Sequence, residues 1–259
     1  MPSYRAIPAY YDAEYEHEPM LQFDVPFFLD HLPKRKRLTV LELAAGTGRA
    51  AIPIAQAGHR VVGVDYDRAM VRRAVQKRDS VGLTDKQLRL DVGDVSSLEL
   101  NEKFDWVCIF FNTLLNFTTL EKLDAVMKTV TRHLKPTGAV WIDLFQPNLK
   151  ILAEPESRDV SPTLFYVPEL DRSVLRRATI IQNPVDQTQK ITFEYTWLDR
   201  HGQEHRDAKS FTLTYMFPRE LHMLLDRHGL TIHKIYGDHQ GNPLDNDSPR
   251  MIAWCTRKA

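Results

Sequence analysis

Apolar and polar residues follow a regular pattern from residue 38 to residue 145. Short runs rich in β-branched and aromatic residues alternate with longer segments of helical period. Five of the short runs are predicted to be strands: Leu38–Leu43, Arg60–Val64, Gln87–Val92, Phe104–Phe110 and Ala139–Phe145. Three helices are predicted between them: Arg49–Gln56, Arg68–Val81 and Thr119–Leu134. Strands that alternate with helices in this way predict an α/β fold built on a doubly wound, mostly parallel sheet.

The pattern of apolar and polar residues changes after residue 145. Three long runs follow in which apolar and polar residues alternate: Ser173–Gln182, Lys190–Leu198 and Ala208–Phe217. Asn183-Pro184 and the stretch from Asp199 to Gly202 supply turn residues between them. These runs therefore predict an antiparallel β insert.

Two more strands are predicted to complete a seven-stranded sheet. They are Thr231–Tyr236 and Met251–Thr256, and a helix over Pro218–His228 precedes them. The loop Gly237–Arg250 between the two strands has no helix of its own, so it cannot be a parallel crossover and the last strand must pair antiparallel. Both ends of this loop then lie at the carboxyl edge of the sheet, where α/β folds bind their ligands.

We expect a single domain over residues 1–259. Aromatic residues recur at rough helical spacing from Tyr4 to Leu32, which predicts a helical extension. The predicted segments are the extension 1–37, the ligand-binding core 38–145, the insert 146–217 and the completion of the sheet 218–259. The insert leaves the sheet after the fifth strand and returns before the sixth. We therefore expect it to stand over the carboxyl edge as a lid.

Composition narrows the classes of partner. Lys+Arg and Asp+Glu both number 34, so no net charge favours nucleic acid or an anionic membrane. Hydrophobic residues make up 43% of the chain, and no uncharged stretch is long enough to span a bilayer. Cys108 and Cys255 lie in apolar runs and are predicted to be buried thiols. With no apolar leader and no metal-ligand spacing, the sequence predicts a soluble cytoplasmic protein without a metal; the oligomeric state stays open.

The stretch Leu38–Gly48, read as LTVLELAAGTG, carries the first candidate chemistry. A strand, a run of small residues and a helix start follow one another, which places unpaired backbone N–H groups beside an open crevice. Gly46 and Gly48 permit the close approach of a ligand and backbone angles that other residues avoid. Asp65 ends the next strand, 65 − 48 = 17 positions after Gly48, near the spacing at which a carboxylate meets a ribose diol. The sequence therefore predicts a nucleoside-binding βαβ unit.

Three functions fit such a unit. Gly46, Gly48 and Ala51 satisfy the dinucleotide pattern G-x-G-x-x-A, which favours an NAD(P)-dependent oxidoreductase. Against this function, Glu42 lies inside the first strand, Asp94 follows the third strand, and the chain ends with two strands joined by a loop. A non-catalytic protein that binds a nucleoside is an alternative from another class, and a third function follows from a family resemblance.

The resemblance rests on four features. They are V-L-E-L-A-A-G-T-G-R, Asp65, Gly93-Asp94-Val95 and L-K-P-T-G-A, and together they resemble the class I S-adenosylmethionine-dependent methyltransferases over residues 38–145. The likeness continues more loosely through residues 217–221 and 245–250. It implies S-adenosylmethionine as the cofactor and transfer of its methyl group to a nitrogen or oxygen of a small-molecule acceptor by in-line displacement. The insert is then expected to be the acceptor lid.

The resemblance also implies roles for individual residues. Gly46 and Gly48 are expected to pack against the methionine moiety, Asp65 to bind both ribose hydroxyls, and Asp94 with Val95 to meet the adenine. The other expected cofactor contacts are Tyr11, Glu42, Ala44, Arg49, Tyr66, Met70, Phe111, Asn112 and Asn116. Ala44 departs from the family, which often has glycine there, so its methyl group is expected to tighten the site. His239 and Tyr215 are candidates for a catalytic base because of where the topology places them.

Several of these residues have a plain structural alternative. Those that follow a strand could be helix N-caps, namely Asp65, Asp94, Asn112 and Asn116. Tyr66 and Met70 could be ordinary core residues. Arg49 could be a solvated side chain, and the loop around His239 could be a solvated hairpin.

Overall fold

The computed structural model describes residues 8–16, 18, 20–34 and 36–258. Residues 1–7, 17, 19 and 35 of the predicted extension lie outside the described part of the chain. The first elements are α1 (Pro8–Tyr15), α2 (Leu21–Asp30), β1 (Thr39–Leu43), α3 (Ala51–Gln56), β2 (Arg60–Asp65), α4 (Arg68–Ser80), β3 (Leu88–Val92), β4 (Phe104–Ile109), a 3-10 turn (Thr113–Asn116), α5 (Leu120–His133) and β5 (Leu134–Phe145). Two helices of the extension thus precede the predicted alternation of strands and helices.

The insert and the end of the chain follow β5. Their elements are α6 (Leu149–Leu152), β6 (Glu156–Ser157), β7 (Thr163–Val167), a 3-10 turn (Pro168–Leu170), β8 (Arg172–Asn183), β9 (Thr188–Leu198), β10 (Glu204–Thr214), α7 (Pro218–Arg227), β11 (Leu230–Tyr236) and β12 (Arg250–Arg257). Within the described residues, no helix has the length and apolar character needed to cross a membrane.

The main sheet has seven strands in the order β11-β12-β5-β4-β1-β2-β3. β12 pairs antiparallel with both β5 and β11, and the other pairs are parallel, as predicted. The order reverses at β1, which lies between β2 and β4. A crevice opens at the carboxyl ends of strands where a parallel sheet reverses its order, so the expected ligand site lies above β1 and β4.

Apolar layers cover both faces of this sheet. Leu41 and Leu43 of β1 join one cluster with residues of α5 and α7, and Val40 joins another with residues of α2 and α3. Because β1 is buried on both faces, it shows a near-continuous apolar run in place of strict alternation. Glu42 interrupts that run, and its burial is a feature of the site.

The fifth strand is longer than predicted. Lys135, Pro136 and Gly138 end α5 as expected, but the chain is already extended there, since Leu134 is fully buried and pairs with Phe104. The ladder then shifts register before Ala139. The residues that end α5 therefore also form the start of an irregular strand. A helix-stop signal does not predict that the chain continues as a strand.

The insert forms a five-stranded antiparallel sheet in which β8 is central. β9 pairs with one side of β8, and β6 and β7 share its other side. The sequence predicted β8, β9 and β10 but not β6, which has two residues, or β7, which has five. β10 ends at Thr214 and not at Phe217, because Phe217 is the N-cap of α7 and its N–H donates to Glu220 Oε2 at 2.7 Å.

Candidate functional site

The turn after β1 has a left-handed backbone at three positions. Ala44, Gly46 and Gly48 have φ values of +59°, +57° and +78°. At Gly48 a Cβ atom would approach Ile52 and Ala74 to 3.1 and 3.3 Å, so that glycine packs the turn against α3 and α4. Ala44 adopts a conformation that glycine accepts at no cost. This explains how the chain departs from the family pattern at Ala44 without a different turn.

Asp65 holds this turn in place. Its Oδ2 accepts a hydrogen bond from Gly46 N at 2.8 Å, and its Oδ1 accepts one from Asp67 N at 2.8 Å. The capping alternative is wrong for Asp65, because Asp67 is the N-cap of α4 and accepts from Ala69 N. Burial raises the pKa of Asp65, although the two backbone N–H groups oppose that rise. A half-buried carboxylate with free lone pairs therefore stands at the end of β2.

A cavity of about 390 Å³ opens beside Asp65, within the usual range for a small-ligand site. The predicted cofactor contacts that line it are Tyr11, Ala44, Gly46, Asp65, Tyr66, Met70, Phe111, Asn112 and Asn116. Lining residues that the sequence did not single out as contacts are Tyr15, Glu18, Met20, Asp67, Thr113, Phe145, Ser161, Arg176, Ile191, Phe193, Phe211, Leu213 and Arg250. The cavity thus has one wall on the core and one on the insert.

Glu42 lies behind the turn, 4% exposed. Burial raises its pKa from 4.5 to about 8; the charge of Arg49 and a hydrogen bond from the Ala51 backbone counteract part of that rise. Its Oε2 has no hydrogen-bond partner among the described residues. A buried acceptor of this kind suits a ligand that donates a hydrogen bond.

Arg49 does not extend into solvent. Its Nη1 donates to Asp24 Oδ1 at 2.9 Å, Nη2 lies 2.7 Å from Asp24 Oδ2, and Asp24 is 1% exposed. The guanidinium also lies 5.7 Å from the centre of the Phe111 ring. Arg49 is therefore part of the buried support beneath the cavity, and the solvated alternative is wrong.

Phe111 and Asn112 follow β4 with φ values of +46° and +64°. Two successive non-glycine residues in this region store strain, which proteins tend to place at functional sites. Asn112 N donates to Asp143 O at 2.9 Å, and Asn112 Oδ1 accepts from Phe145 N at 2.6 Å. Asn112 thus ties β4 to β5 and makes no side-chain cap on the 3-10 turn. Asn116 does not cap α5 either, because Thr119 does.

The predicted adenine pair is not on the cavity wall. Asp94 is exposed, and its Oδ1 accepts from Ser96 N at 2.8 Å and from Ser96 Oγ at 2.7 Å. Val95 is fully buried in the apolar core. Among the expected cofactor residues, these two are separated from the group that gathers around Asp65.

The two candidates for a catalytic base are also away from the cavity. Tyr215 lines a second cavity, of about 1040 Å³, between the β8–β9 turn, α5 and α7. His239 is buried, and its Nε2 lies 3.0 Å from Asp143 Oδ2. Both residues were chosen as candidate bases from the predicted topology. Topology places a loop at the carboxyl edge of the sheet, but it does not determine where a side chain in that loop points.

Asp143 connects His239 to the cavity through Arg250. Asp143 is fully buried, and its Oδ1 accepts from Arg250 Nε at 2.9 Å and from Arg250 Nη2 at 2.5 Å. Arg250 lines the cavity and is 2% exposed. Burial would raise the pKa of Asp143, but the Arg250 charge and the His239 hydrogen bond hold that pKa below its ordinary value. His239 is thus a positioning residue behind Arg250.

Helix α1 closes the cavity from above. Asp12 accepts a hydrogen bond from Thr47 Oγ1 at 2.6 Å on the turn side, and Glu14 accepts one from Arg176 on the insert side. Tyr11 and Tyr15 of this helix line the cavity. The extension therefore links the core to the insert over the site, whereas aromatic spacing in the sequence predicted only a helical extension.

The buried acid Glu42 predicts a specific pH dependence of stability. Its pKa of about 8 in the folded state lies above the 4.5 of the unfolded state, so between these values the folded state keeps a proton that the unfolded state loses. Stability from this group is fully present below pH 4.5 and is lost as the pH rises to about 8. Replacement by Gln removes the ionisation and keeps an oxygen for the Ala51 hydrogen bond.

We expect the free energy of unfolding of the Glu42→Gln variant to fall less than that of the wild type between pH 6 and pH 8. The difference should be on the order of 1–2 kcal/mol, since one pH unit across a titrating group corresponds to about 1.4 kcal/mol. Urea unfolding at both pH values measures it. Parallel pH profiles for the two proteins would mean that Glu42 ionises at its ordinary pKa.

The chain is similar in sequence and in fold to known methyltransferases. Residues 40–138 match the family model of the methyltransferase domain. The cypemycin N-terminal methyltransferase of a Streptomyces species is 28% identical over 90% of this chain and 89% of its own length. The structure of an S-adenosylmethionine-dependent methyltransferase from Clostridium acetobutylicum ATCC 824 matches with a TM-score of 0.79 and 17% identity, covering 99% of each chain. An amino pentose methyltransferase from Micromonospora echinaspora, solved with S-adenosylmethionine bound, matches with a TM-score of 0.70 and 17% identity over 96% of each chain.

Proposed function

We propose that the chain is a class I S-adenosylmethionine-dependent methyltransferase and that it methylates a nitrogen or oxygen atom of a small molecule held in the 390 Å³ cavity. The observation that supports this proposal is that the core and the insert both contribute residues to the cavity wall. Ala44, Gly46 and Asp65 lie on the core side, and the apolar residues Ile191 and Phe193 lie on the insert side. One enclosed space therefore offers a nucleoside site and an acceptor site together.

The core side fits S-adenosylmethionine. We assign Asp65 to the ribose hydroxyls, because its carboxylate retains lone pairs after accepting two backbone hydrogen bonds. Glu42, with its unpartnered Oε2, and the turn at Gly46 are assigned to the methionine moiety. Tyr66 and Met70 line the cavity next to Asp65 and are assigned to the adenine. The dinucleotide interpretation is set aside.

The chain contributes position and enclosure. When bound, S-adenosylmethionine would supply an activated methyl group for the acceptor's lone pair and leave as a neutral thioether, and the acceptor's proton would be released to bulk solvent. Tyr11 and Tyr15 above the cavity and the insert beside it exclude water from this space. No general base is needed for an amine that arrives deprotonated.

Two observations support a small acceptor with a nucleophilic nitrogen. The cavity of about 390 Å³ is lined by residues of α1, the core and the insert, and its volume suits a small molecule. Among the similar proteins, one is named an N-terminal methyltransferase and another an amino pentose methyltransferase. We assign the insert, residues 146–217, the role of acceptor lid. It packs as part of the domain, since Leu213 and Met216 at its end join the main apolar core.

Methyl transfer to a panel of compounds tests this function. The protein is incubated with S-adenosylmethionine carrying a trideuterated methyl group and with small amines, alcohols, phenols and carboxylic acids, and products are identified by mass spectrometry. We expect one labelled methyl group on a nitrogen or oxygen and an equal amount of S-adenosylhomocysteine. Tight binding of S-adenosylhomocysteine without any labelled product in the panel would favour the non-catalytic alternative.

A further inference from the structure

Asn116 carries a buried hydrogen-bond acceptor with no partner. Its Nδ2 donates to Thr113 O at 3.1 Å, which fixes the orientation of the amide. Its Oδ1 is buried and has no hydrogen-bond partner among the described residues. Asn116 lines the cavity. A buried amide oxygen costs free energy when it is left unpaired, so this atom suits a ligand that donates an N–H or O–H.

Asn116 lies on the acceptor side of the cavity. It ends the 3-10 turn after β4, and β10 of the insert packs against that turn. The cavity residues contributed by β9 and β10 are apolar: Ile191, Phe193, Phe211 and Leu213. The rings of Phe193 and Phe211 meet edge to face, with centroids 5.2 Å apart. Asn116 therefore borders a space that suits an apolar or aromatic body.

The charges around this space favour a cation. Both arginines on the wall are ion-paired with buried carboxylates, Arg176 with Glu14 and Arg250 with Asp143. Glu18 also lines the cavity and makes no ion pair with any residue in the described ranges. A carboxylate without a cationic partner attracts an ammonium group and repels a carboxylate or phosphate.

We propose that the acceptor is a small amine with an apolar body, whose N–H donates to Asn116 Oδ1 and whose positive charge in the resting form is met by Glu18. This inference rests on the proposed function and narrows its acceptor to one class. It moves Asn116 from the cofactor to the acceptor. The ammonium form is recognised, and it releases one proton to bulk solvent before the cavity closes and its lone pair can attack.

Binding of two matched probes tests the class without turnover. The protein is saturated with S-adenosylhomocysteine, and the affinities of 4-fluorobenzylamine and 4-fluorobenzoate are measured by fluorine NMR at pH 7. The two probes share a ring and differ in the sign of their charge. We expect the amine to bind at least tenfold more tightly than the carboxylate. Equal affinities, or preference for the carboxylate, would overturn the inference.

Two variants test the residues. Asn116→Leu and Glu18→Gln should each weaken 4-fluorobenzylamine binding by about tenfold, while the affinity for S-adenosylhomocysteine changes by less than about twofold. The unchanged affinity for S-adenosylhomocysteine separates loss of the contact to the amine from loss of structure in both variants. Glu16→Gln changes an exposed acid near Glu18 outside the cavity and is the matched control.

The outcomes distinguish a failure of this inference from a failure of the proposed methyltransferase function. If Asn116→Leu weakens S-adenosylhomocysteine and leaves the amine unchanged, Asn116 belongs to the cofactor and the inference is wrong. If the wild type does not bind S-adenosylhomocysteine, the proposed function itself fails. If Glu16→Gln weakens the amine as much as Glu18→Gln does, the effect is general surface charge and Glu18 has no special role.

Discussion

Asp143→Ala is expected to lower the free energy of unfolding by about 3–5 kcal/mol, the range for removing one partner of a buried ion pair. Asp143 is fully buried, and Arg250 is 2% exposed. The variant would leave the Arg250 guanidinium and the His239 ring without the carboxylate that accepts their hydrogen bonds. Urea unfolding at pH 7 measures the change.

The matched control is an exposed ion pair. Asp226 pairs with Lys258 at the surface, and Asp226→Ala should change the free energy of unfolding by less than about 1 kcal/mol. If Asp143→Ala lowers the free energy of unfolding no more than the control does, the buried pair does not stabilise the site.

Asp143 also makes the stability of the protein depend on pH. The pKa of Asp143 lies below 3.8 in the folded state, so its contribution to stability is present above about pH 3.8 and is lost as the pH falls through the lower, folded-state pKa.

Asp65→Ala should weaken the binding of S-adenosylhomocysteine by about 1.5–3 kcal/mol, the range for hydrogen bonds to a charged group. That loss corresponds to an affinity roughly 10- to 150-fold lower. The carboxylate lines the cavity and also accepts hydrogen bonds from Gly46 N and Asp67 N, so the variant also loosens the glycine turn. Isothermal titration calorimetry measures the affinity.

Asp91→Ala is the control for Asp65. Asp91 lies beside Val64 in the same sheet, pairs with Arg89 near the surface and does not line the cavity. Its removal should leave the affinity for S-adenosylhomocysteine within about twofold of the wild type. An Asp65→Ala variant with wild-type affinity would show that the carboxylate only fastens the turn, and the ribose assignment would be withdrawn.

The fold could be predicted from the sequence because each strand of the main sheet carries its own signal. The apolar runs of β1, β2 and β4 alternate with amphipathic helices, and the short connection before β12 allows only antiparallel pairing. The two-residue strand β6 and the five-residue strand β7 were missed. Their pairing with β8 is decided by tertiary contact and not by local pattern.

The sequence predicted those parts of the candidate site that depend on local backbone structure. The turn at Gly46 and the acid Asp65 follow from residue type and spacing, and both line the cavity. Arg250 was missed because its place depends on the partner Asp143, which lies 107 residues away along the chain. The contact that His239 makes was not predicted for the same reason, because its side chain bonds to Asp143.

The insert wall was missed for a different reason. Ile191, Phe193, Phe211 and Leu213 alternate with polar residues along β9 and β10, so the sequence indicates a single apolar face. An apolar face of this kind predicts a core or a ligand wall equally well. Only the tertiary structure shows that these residues line a cavity shared with Asp65.

A crystal structure of the protein with S-adenosylhomocysteine tests the central claim most directly, because it shows where the cofactor product lies. We expect the ribose hydroxyls to bind Asp65 and the sulfur atom to face the cavity space between Phe111 and the insert. S-adenosylhomocysteine bound elsewhere, for instance in the second cavity beside Tyr215, would contradict it.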